Sequence, residues 1–248
     1  MTDLVVIGGT GVYGIDRVQD VERVAVDTPF GPLESPLLRG SWGGRPVAFL
    51  ARHGEQHSVL PHEVNYRANV WAVAQLAPRA VVAVNAVGSL DDRLPPAALA
   101  LPDQLLDYTF GRASTFYGDV PEAPIHVDFT HPYDGGLHAA VARAAGDDLA
   151  VSRDLVYGVT QGPRLETAAE IRRMRQDGCG LVGMTGMPEA VLARELGLAY
   201  VSLCLIGNWA AGFRPDEPEI TLDEVLENVS AAMESALGVI ERLLVRAL

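Results

Sequence analysis

Apolar residues along the chain form short continuous runs, and each run ends at polar or glycine-rich positions. Such runs predict strands that are buried on both faces. Between them, apolar residues recur three and four positions apart, which is typical of helices with one buried face. The alternation of the two patterns predicts an α/β domain. The predicted strands are residues 4–7, 46–51, 80–85, 101–108, 155–160 and 200–206, the predicted helices are residues 61–76, 135–145 and 221 onward, residues 17–46 predict antiparallel hairpins, and residues 111–132 a long loop.

Residues 161–213 contain the strongest local signals. Thr167 followed by Glu170 predicts a capping box at the start of an amphipathic helix. Pro188 suits the first turn of a second helix, where its missing N–H costs nothing. The apolar strand that follows stops just before Asn208. Because ligands bind at strand ends in open α/β sheets, we expect a site near this point.

Composition and charge narrow the function classes. The chain has 248 residues, 48% of them hydrophobic, which fits one domain over residues 1–248 and excludes a disordered chain. A net charge of −13 argues against nucleic acid or an anionic membrane as a partner, since both need a basic face. No apolar run approaches the ~20 residues of a membrane span, and no basic leader precedes the first strand. Because Cys179 and Cys204 lie in apolar surroundings, we expect reduced thiols in a cytoplasmic protein.

Two strand ends carry candidate anion-binding groups. Glycines surround Thr10 directly after the first strand, which fits either a phosphate loop or a tight strand exit without a ligand. Arg52 and His53 follow a later strand and could supply fork-shaped and single donors to a phosphate. The alternative for Arg52 is a surface ion pair with Glu55. Small residues after Asn85 leave room for a ligand, although a plain turn explains them too.

Taken together and in order, these motifs resemble the methylthioadenosine phosphorylase branch of the trimeric purine nucleoside phosphorylases. The resemblance covers residues 4 to about 245 and rests on Gly8-Gly9-Thr10-Gly11, Arg52-His53-Gly54-x-x-His57, Val64-Asn65-Tyr66-Arg67-Ala68-Asn69 after Pro61, Asn85-Ala86-Val87-Gly88-Ser89, Gly162-Pro163-Arg164 and Gly183-Met184-Thr185-x-x-Pro188-Glu189. It implies a single α/β domain with a central mixed, distorted-barrel β-sheet flanked by helices. It also implies reversible phosphorolysis of an N-glycosidic bond, with inorganic phosphate as co-substrate and no metal or organic cofactor. The implied assembly is a homotrimer with its sites near subunit interfaces.

The resemblance also assigns residues to the two ends of a nucleoside site. Met184 is expected under the ribose, where it contacts a hydroxyl through its backbone, and Leu165 stands where the family stacks a phenylalanine on the base. His57 and His126 are expected to border the 5′ pocket, His126 from a neighbouring subunit. Asn85 replaces the threonine usual in methylthioadenosine enzymes, so its contact with phosphate is left open. The residues implied around the phosphate are Thr10, Arg52, His53, Ala86 and Thr185.

The purine end departs from the adenine-specific pattern. Adenine enzymes of the family have aspartates at the positions of Asn208 and Ala210, whereas Glu166 and Asn208 match phosphorylases of inosine and guanosine. An ionised Glu166 can only accept a hydrogen bond, so it fits the N1–H of a 6-oxopurine and is repelled by the bare N1 of adenine. The amide of Asn208 can donate to O6 or N7. The base pocket is therefore predicted to prefer 6-oxopurines, with Glu166, Asn208 and His53 as the catalytic candidates.

The 5′ end departs from the pattern of the inosine and guanosine phosphorylases. Inosine and guanosine phosphorylases hold the 5′-hydroxyl with a histidine, and the matching position here is Leu222. Val225 lies on the same face of the predicted helix. An apolar wall suits a methylthio group, and the less favoured alternative for both residues is ordinary helix core. The two ends together predict 5′-methylthioinosine as the substrate.

Other functions remain open on the sequence. They include an ordinary methylthioadenosine phosphorylase, a broad inosine and guanosine phosphorylase, and a related nucleosidase that uses water. From a different class, the chain could be a catalytically idle nucleoside-binding or regulatory protein. Cleavage of the glycosidic bond that depends on added phosphate separates the phosphorylases from the rest.

Overall fold

The computed structural model of the protein describes residues 2–8, 15–117, 126–151, 154–214 and 219–247. These residues form one mixed sheet with helices packed on it. The strands are β1 (Leu4–Gly8), β2 (Gln19–Val24), β3 (Leu37–Trp42), β4 (Arg45–Ala51), β5 (Ala80–Ser89), β6 (Leu99–Ala100), β7 (Gln104–Asp107), β8 (Leu149–Val151), β9 (Val156–Val159), β10 (Cys179–Gly183) and β11 (Tyr200–Trp209). The helices are α1 (Tyr66–Gln75), α2 (Gly135–Ala145), α3 (Ala168–Gln176), α4 (Glu189–Glu195) and α5 (Leu222–Arg246).

The sheet branches at β5, and this branch creates the site. The path of paired strands is β2-β3-β4-β1-β5-β10-β9-β7, while β11 also pairs with β5 and continues to β6 and β8. The first half of β5 is parallel to β1, and its end is antiparallel to β10 at Gly88 and Ser89. β5 thus changes its partner on this side along its length, between Ala83 and Gly88. Ala86 lies in that interval and is exposed.

Local signals predicted most helix boundaries correctly. The helix expected at 135–145 has those bounds, and the capping box of Thr167 and Glu170 has both of its hydrogen bonds. Thr221 caps α5 by accepting from the backbone N–H of Glu224. The helix expected from residue 61 begins instead at Tyr66, because the Asn65 side chain accepts from the Ala68 N–H and caps it there.

The ends of two predicted strands were wrong, and the strand predicted at residues 101–108 is shorter, since β7 covers Gln104–Asp107 alone. β5 runs on to Ser89 and β11 to Trp209, through residues that were expected to form turns. The extended ends of β5 and β11 are hydrogen-bonded to each other, since Leu205 pairs with Ala86 and Asn208 with Gly88. The small residues after Asn85 therefore belong to a strand that lines the site, and neither a turn nor a loop forms there.

Burial follows the apolar pattern. Cys179 and Cys204 are both buried and free, and burial raises the pKa of the Cys204 thiol to about 12, which makes it unreactive. Among the described residues, no helix is long and apolar enough to cross a membrane. In the same part of the chain, no group of three His, Cys, Asp or Glu side chains is placed to hold a metal ion.

Candidate active site

A cavity of about 480 Å³ lies where the ends of β5, β10 and β11 meet the start of α5. Most of the side chains that the sequence predicted as site residues line this cavity. Those residues are Arg52, His53, His57, Ala86, Leu165, Glu166, Met184, Thr185, Asn208, Leu222 and Val225. His126 is exposed and does not line the cavity of its own chain. Its expected contribution from a neighbouring subunit stays a prediction. Thr10 lies outside the described residues.

A buried ion pair lies at the end of the cavity that is predicted to bind phosphate, called the phosphate end below. Arg52 is 1% exposed and binds Glu189 at two points, with Nε 2.7 Å from Oε2 and Nη2 2.9 Å from Oε1. The Tyr200 hydroxyl donates to the same carboxylate at 2.8 Å. Burial disfavours the charge on Arg52, but Glu189 outweighs it and the pKa of the guanidinium lies above its ordinary value. The alternative of an Arg52–Glu55 surface pair is wrong.

Glu55 instead pairs with Arg23 on the surface, with Nη1 and Oε1 2.7 Å apart. Glu189 ends one of the family motifs in the sequence, but no role was predicted for it. A signal existed, because Glu189 is followed by the apolar residues Ala190 and Val191 on a predicted helix. A carboxylate on a buried helix start needs a cationic partner, and Arg52 meets that need from 137 residues away.

His53 beside Arg52 has a fixed tautomer. Its Nδ1 lies 2.8 Å from the carbonyl oxygen of Val59, which can only accept, so Nδ1 carries the proton. Burial and then the charge of Arg52 lower the pKa of His53 to about 4, and the ring is neutral at pH 7. Nε2 is left as an acceptor. The expectation that His53 donates to phosphate is therefore replaced by a different one, in which it accepts from a protonated phosphate oxygen.

Asn85 points at a neighbouring site residue. Its Nδ2 donates to the Thr185 hydroxyl at 2.7 Å, and its Oδ1 accepts from the Ser202 hydroxyl at 2.7 Å. All three side chains are buried. Because Thr185 Oγ1 already accepts from Asn85, its own proton is available for a different acceptor. Asn85 thus orients Thr185, and Ser202 is a supporting residue that the sequence did not reveal.

The purine end contains the two predicted polar side chains. Glu166 Oε1 accepts from the Thr160 hydroxyl at 2.6 Å, and the Thr160 N–H donates to the Gly183 carbonyl at 2.8 Å. Thr160, which sequence reasoning missed, therefore anchors the carboxylate to the end of β10. Asn208 Nδ2 donates to the Trp209 carbonyl at 2.7 Å, which fixes the amide orientation. One N–H and the Oδ1 of Asn208 are left for other partners.

The 5′ end is apolar and open. Leu222 is 71% exposed although it lies at the start of α5, so the interpretation of this residue as ordinary helix core is wrong. Val225 is partly buried and sits one turn further along, next to Gly207 of β11. Leu165 is 51% exposed at the cavity edge. The remaining apolar residues at this end are Ile220, Leu226, Val229 and Met233.

The cavity brings the buried Arg52–Glu189 pair close to the side chains of Glu166 and Asn208 on a branched mixed sheet. The model of the phosphorylase superfamily matches residues 3–245, and the chain belongs to that family. A protein of Xylella fastidiosa named a probable S-methyl-5′-thioinosine phosphorylase is 51% identical over 94% of this chain and 98% of its own.

Two further relatives differ in their named substrates. A Thermococcus kodakarensis protein named a probable 6-oxopurine nucleoside phosphorylase is 41% identical over 92% of this chain and 86% of its own. The crystal structure of a methylthioadenosine phosphorylase from an antarctic soil metagenomic library superposes with a TM-score of 0.90 at 35% identity, covering 98% of this chain and 85% of its own. The expected fold class is thereby confirmed.

Proposed function

We propose that the chain is a pentosyltransferase that cleaves S-methyl-5′-thioinosine with phosphate, giving hypoxanthine and 5-methylthioribose 1-phosphate. One observation carries the proposal: a single cavity has one end with a cation, one end with a carboxylate and an amide, and one apolar end. Arg52 marks the first, Glu166 with Asn208 the second, and Leu222 with Val225 the third. Phosphate is a co-substrate in this reaction, and no cofactor is needed.

The reaction follows from how these groups are placed. As the bond between C1′ and N9 stretches, the ribosyl group becomes oxocarbenium-like and negative charge builds on the purine. Asn208 donates to the N7/O6 edge as that charge appears, so it stabilises the transition state more than the substrate. A phosphate oxygen held near Arg52, His53 and Thr185 then bonds to C1′, and the purine leaves with the bonding electrons and takes up a proton.

The base pocket supports the choice of hypoxanthine over adenine. Thr160 occupies one oxygen of Glu166 and leaves the other to accept from N1–H. A pocket built for one hydrogen-bond pattern rejects the other by several orders of magnitude, because buried polar groups are left unpaired. The named activity of the Xylella relative agrees with this choice.

The second candidate is a broad inosine and guanosine phosphorylase, which the Thermococcus relative favours by its name. A methylthioadenosine phosphorylase is a further alternative, which the name of the similar antarctic protein favours. The apolar wall at Leu222 argues against an inosine and guanosine phosphorylase. Glu166 and Asn208 argue against a methylthioadenosine phosphorylase. A nucleoside-binding regulatory protein is the alternative outside enzymes.

The test is to follow cleavage of methylthioinosine, methylthioadenosine and inosine side by side, with and without phosphate. We expect fast, phosphate-dependent loss of methylthioinosine. Preference for methylthioadenosine would contradict the roles of Glu166 and Asn208, and preference for inosine would contradict that of Leu222. No cleavage of any of the three would favour the binding protein. Light scattering of the same sample tests the homotrimer that we expect for the assembly.

A further inference from the structure

Arg112 lies outside the cavity lining and binds the backbone behind it. Its guanidinium has five N–H groups, and all five have acceptors. Nη1 donates to the carbonyls of Met184 at 2.8 Å and Met187 at 2.6 Å. Nη2 donates to the carbonyls of Gln161 at 2.8 Å and Thr160 at 3.2 Å, and Nε donates to Gln161 Oε1 at 3.2 Å. A sixth acceptor is the Tyr66 hydroxyl; all six are neutral, and four of them are main-chain oxygens.

These carbonyls belong to two chain segments that separate at the end of the sheet. β9 and β10 are parallel neighbours, and the Thr160 N–H to Gly183 carbonyl bond at 2.8 Å closes their ladder. Beyond that bond the chain of β9 turns toward Glu166, and that of β10 continues through Met184 toward α4. Arg112 inserts its planar fork between the two segments and takes up carbonyls that the ladder no longer pairs.

The Arg112 side chain is itself held in place. Its guanidinium lies 5.5 Å from the centroid of the Tyr66 ring, and Nη1 is 3.3 Å from the Tyr66 hydroxyl. Gln161 Oε1 also accepts from the Phe110 N–H at 3.2 Å, which ties the chain before Arg112 to the same segment. Stacking on an aromatic face and a fixed fork of donors leave the guanidinium little freedom.

Each clamped segment carries one end of the proposed substrate. The Thr160 segment leads to Glu166, which Thr160 holds at 2.6 Å for the purine. The Met184 segment carries the backbone expected under the ribose and Thr185 at the phosphate end. We infer that Arg112 is a positioning residue that sets the distance between the purine end and the ribose–phosphate end of the site. The inference rests on the proposed function.

The experiment replaces Arg112 by alanine and adds guanidinium back. Misplacing reacting groups by about 1 Å can lower turnover ~100-fold, and we expect a loss of kcat of that size in Arg112→Ala with methylthioinosine. The vacated space keeps its five carbonyl-type acceptors. Guanidinium at ~20 mM, far below concentrations that unfold proteins, is expected to restore kcat at least tenfold. Methylammonium at the same concentration presents a single point charge and is expected to restore nothing.

Controls separate this inference from the proposed function. Arg93→Ala removes an exposed arginine that is paired with Asp91, and we expect wild-type kcat and no response to guanidinium. If the wild type does not cleave methylthioinosine, the proposed function fails. If the wild type is active and Arg112→Ala retains more than about a third of the wild-type kcat, the positioning role of Arg112 is contradicted. Misplaced reacting groups should lower kcat far more than that.

Arg112→Lys covers the case in which the alanine variant does not fold. Lysine keeps the charge but cannot span both segments, so we expect kcat to fall at least tenfold while the melting temperature stays within a few degrees of wild type. Unchanged kcat in a folded Arg112→Lys would overturn the inference. So would equal restoration of Arg112→Ala by guanidinium and methylammonium, because that result requires only a charge.

Discussion

The phosphate end and the 5′ end of the cavity are built in opposite ways. At the phosphate end, Arg52 and Glu189 are 1% and 0% exposed and bind each other at two points. At the 5′ end, Leu222 is 71% exposed and contributes only apolar surface. The first end is part of the core, so a change there affects folding and catalysis together. The second end lies at a helix start, so a change there can alter the substrate without disturbing the fold.

The largest effect is expected from breaking the buried ion pair. Glu189→Ala leaves Arg52 charged, buried and unpaired, which should lower the free energy of unfolding by about 3–5 kcal/mol. Urea unfolding measures this. Glu55→Ala removes the same kind of partner from Arg23 on the surface and should leave the unfolding midpoint unchanged. Equal effects of the two substitutions would contradict the difference between buried and exposed pairs.

A double substitution sharpens the same contrast. Arg52→Met with Glu189→Leu removes both charges, so it should recover much of the stability that Glu189→Ala loses. Phosphorolysis should be absent in the double variant, because the phosphate anion no longer has the Arg52 cation as a partner. Recovered stability with recovered activity would show that Arg52 serves the fold alone.

The next effect concerns the purine end. Asn208→Ala should lower kcat by ~100-fold or more, in line with the loss of one donor that acts on charge developing in the transition state. The melting temperature should change little, since Asn208 is only partly buried. Steady-state kinetics with methylthioinosine test this, and a drop of less than about threefold would refute the role of Asn208.

Glu166→Ala should change selectivity more than rate. Without the carboxylate, the repulsion of adenine N1 disappears, and the preference for methylthioinosine over methylthioadenosine should shrink at least ~10-fold. The measurement is the ratio of kcat/KM for the two nucleosides. Glu227→Ala, an exposed carboxylate on α5, is the control and should leave the ratio as it is. An unchanged ratio in Glu166→Ala would count against the base pocket.

The pH dependence of stability tests the neutral state of His53. Its folded pKa of about 4 lies below the ordinary 6.5, so the unfolded chain takes up a proton first. Stability from this residue is complete above pH 6.5 and is lost as the pH falls toward 4, by about 2–3 kcal/mol. His53→Asn keeps a donor for Val59 and should lose less stability between pH 7 and 4.5 than wild type. The exposed His131→Asn should behave as wild type.

The smallest effect is expected at the 5′ end. Leu222→His offers a hydrogen-bond partner to a 5′-hydroxyl, and the kcat/KM ratio of inosine to methylthioinosine should rise by roughly tenfold. Stability should be nearly unchanged because the site is exposed. Val245→His, at the exposed far end of the same helix, is the matched control. A loss of stability without a change in the kcat/KM ratio would mean that Leu222 stabilises the fold and does not select the substrate.

Most of the helices and the candidate site could be predicted because their signals are local or lie in contiguous motifs. Thr167 with Glu170 specifies a helix start within four residues, and α2 has its predicted bounds. The cavity-lining side chains were assigned from strand-end motifs and from the resemblance to the purine nucleoside phosphorylases. The start of α1 was predicted too early, at residue 61, because the cap that the Asn65 side chain forms with the Ala68 N–H was not recognised. The ends of β5 and β11 were missed because only their mutual pairing makes them strands.

The sequence by itself determined which residue types are available: a carboxylate and an amide for the purine, a cation and a histidine for phosphate, and a leucine where a hydroxyl partner could stand. Only the tertiary structure decided how these groups are held. It pairs Arg52 with Glu189, fixes the His53 proton on Nδ1, turns Asn85 onto Thr185 and lets Arg112 join two segments. The physical reason is that these partners, apart from His53 and Val59, lie far apart in the chain. Hydrogen-bond geometry and burial, which set charge and tautomer, exist only once the chain has folded.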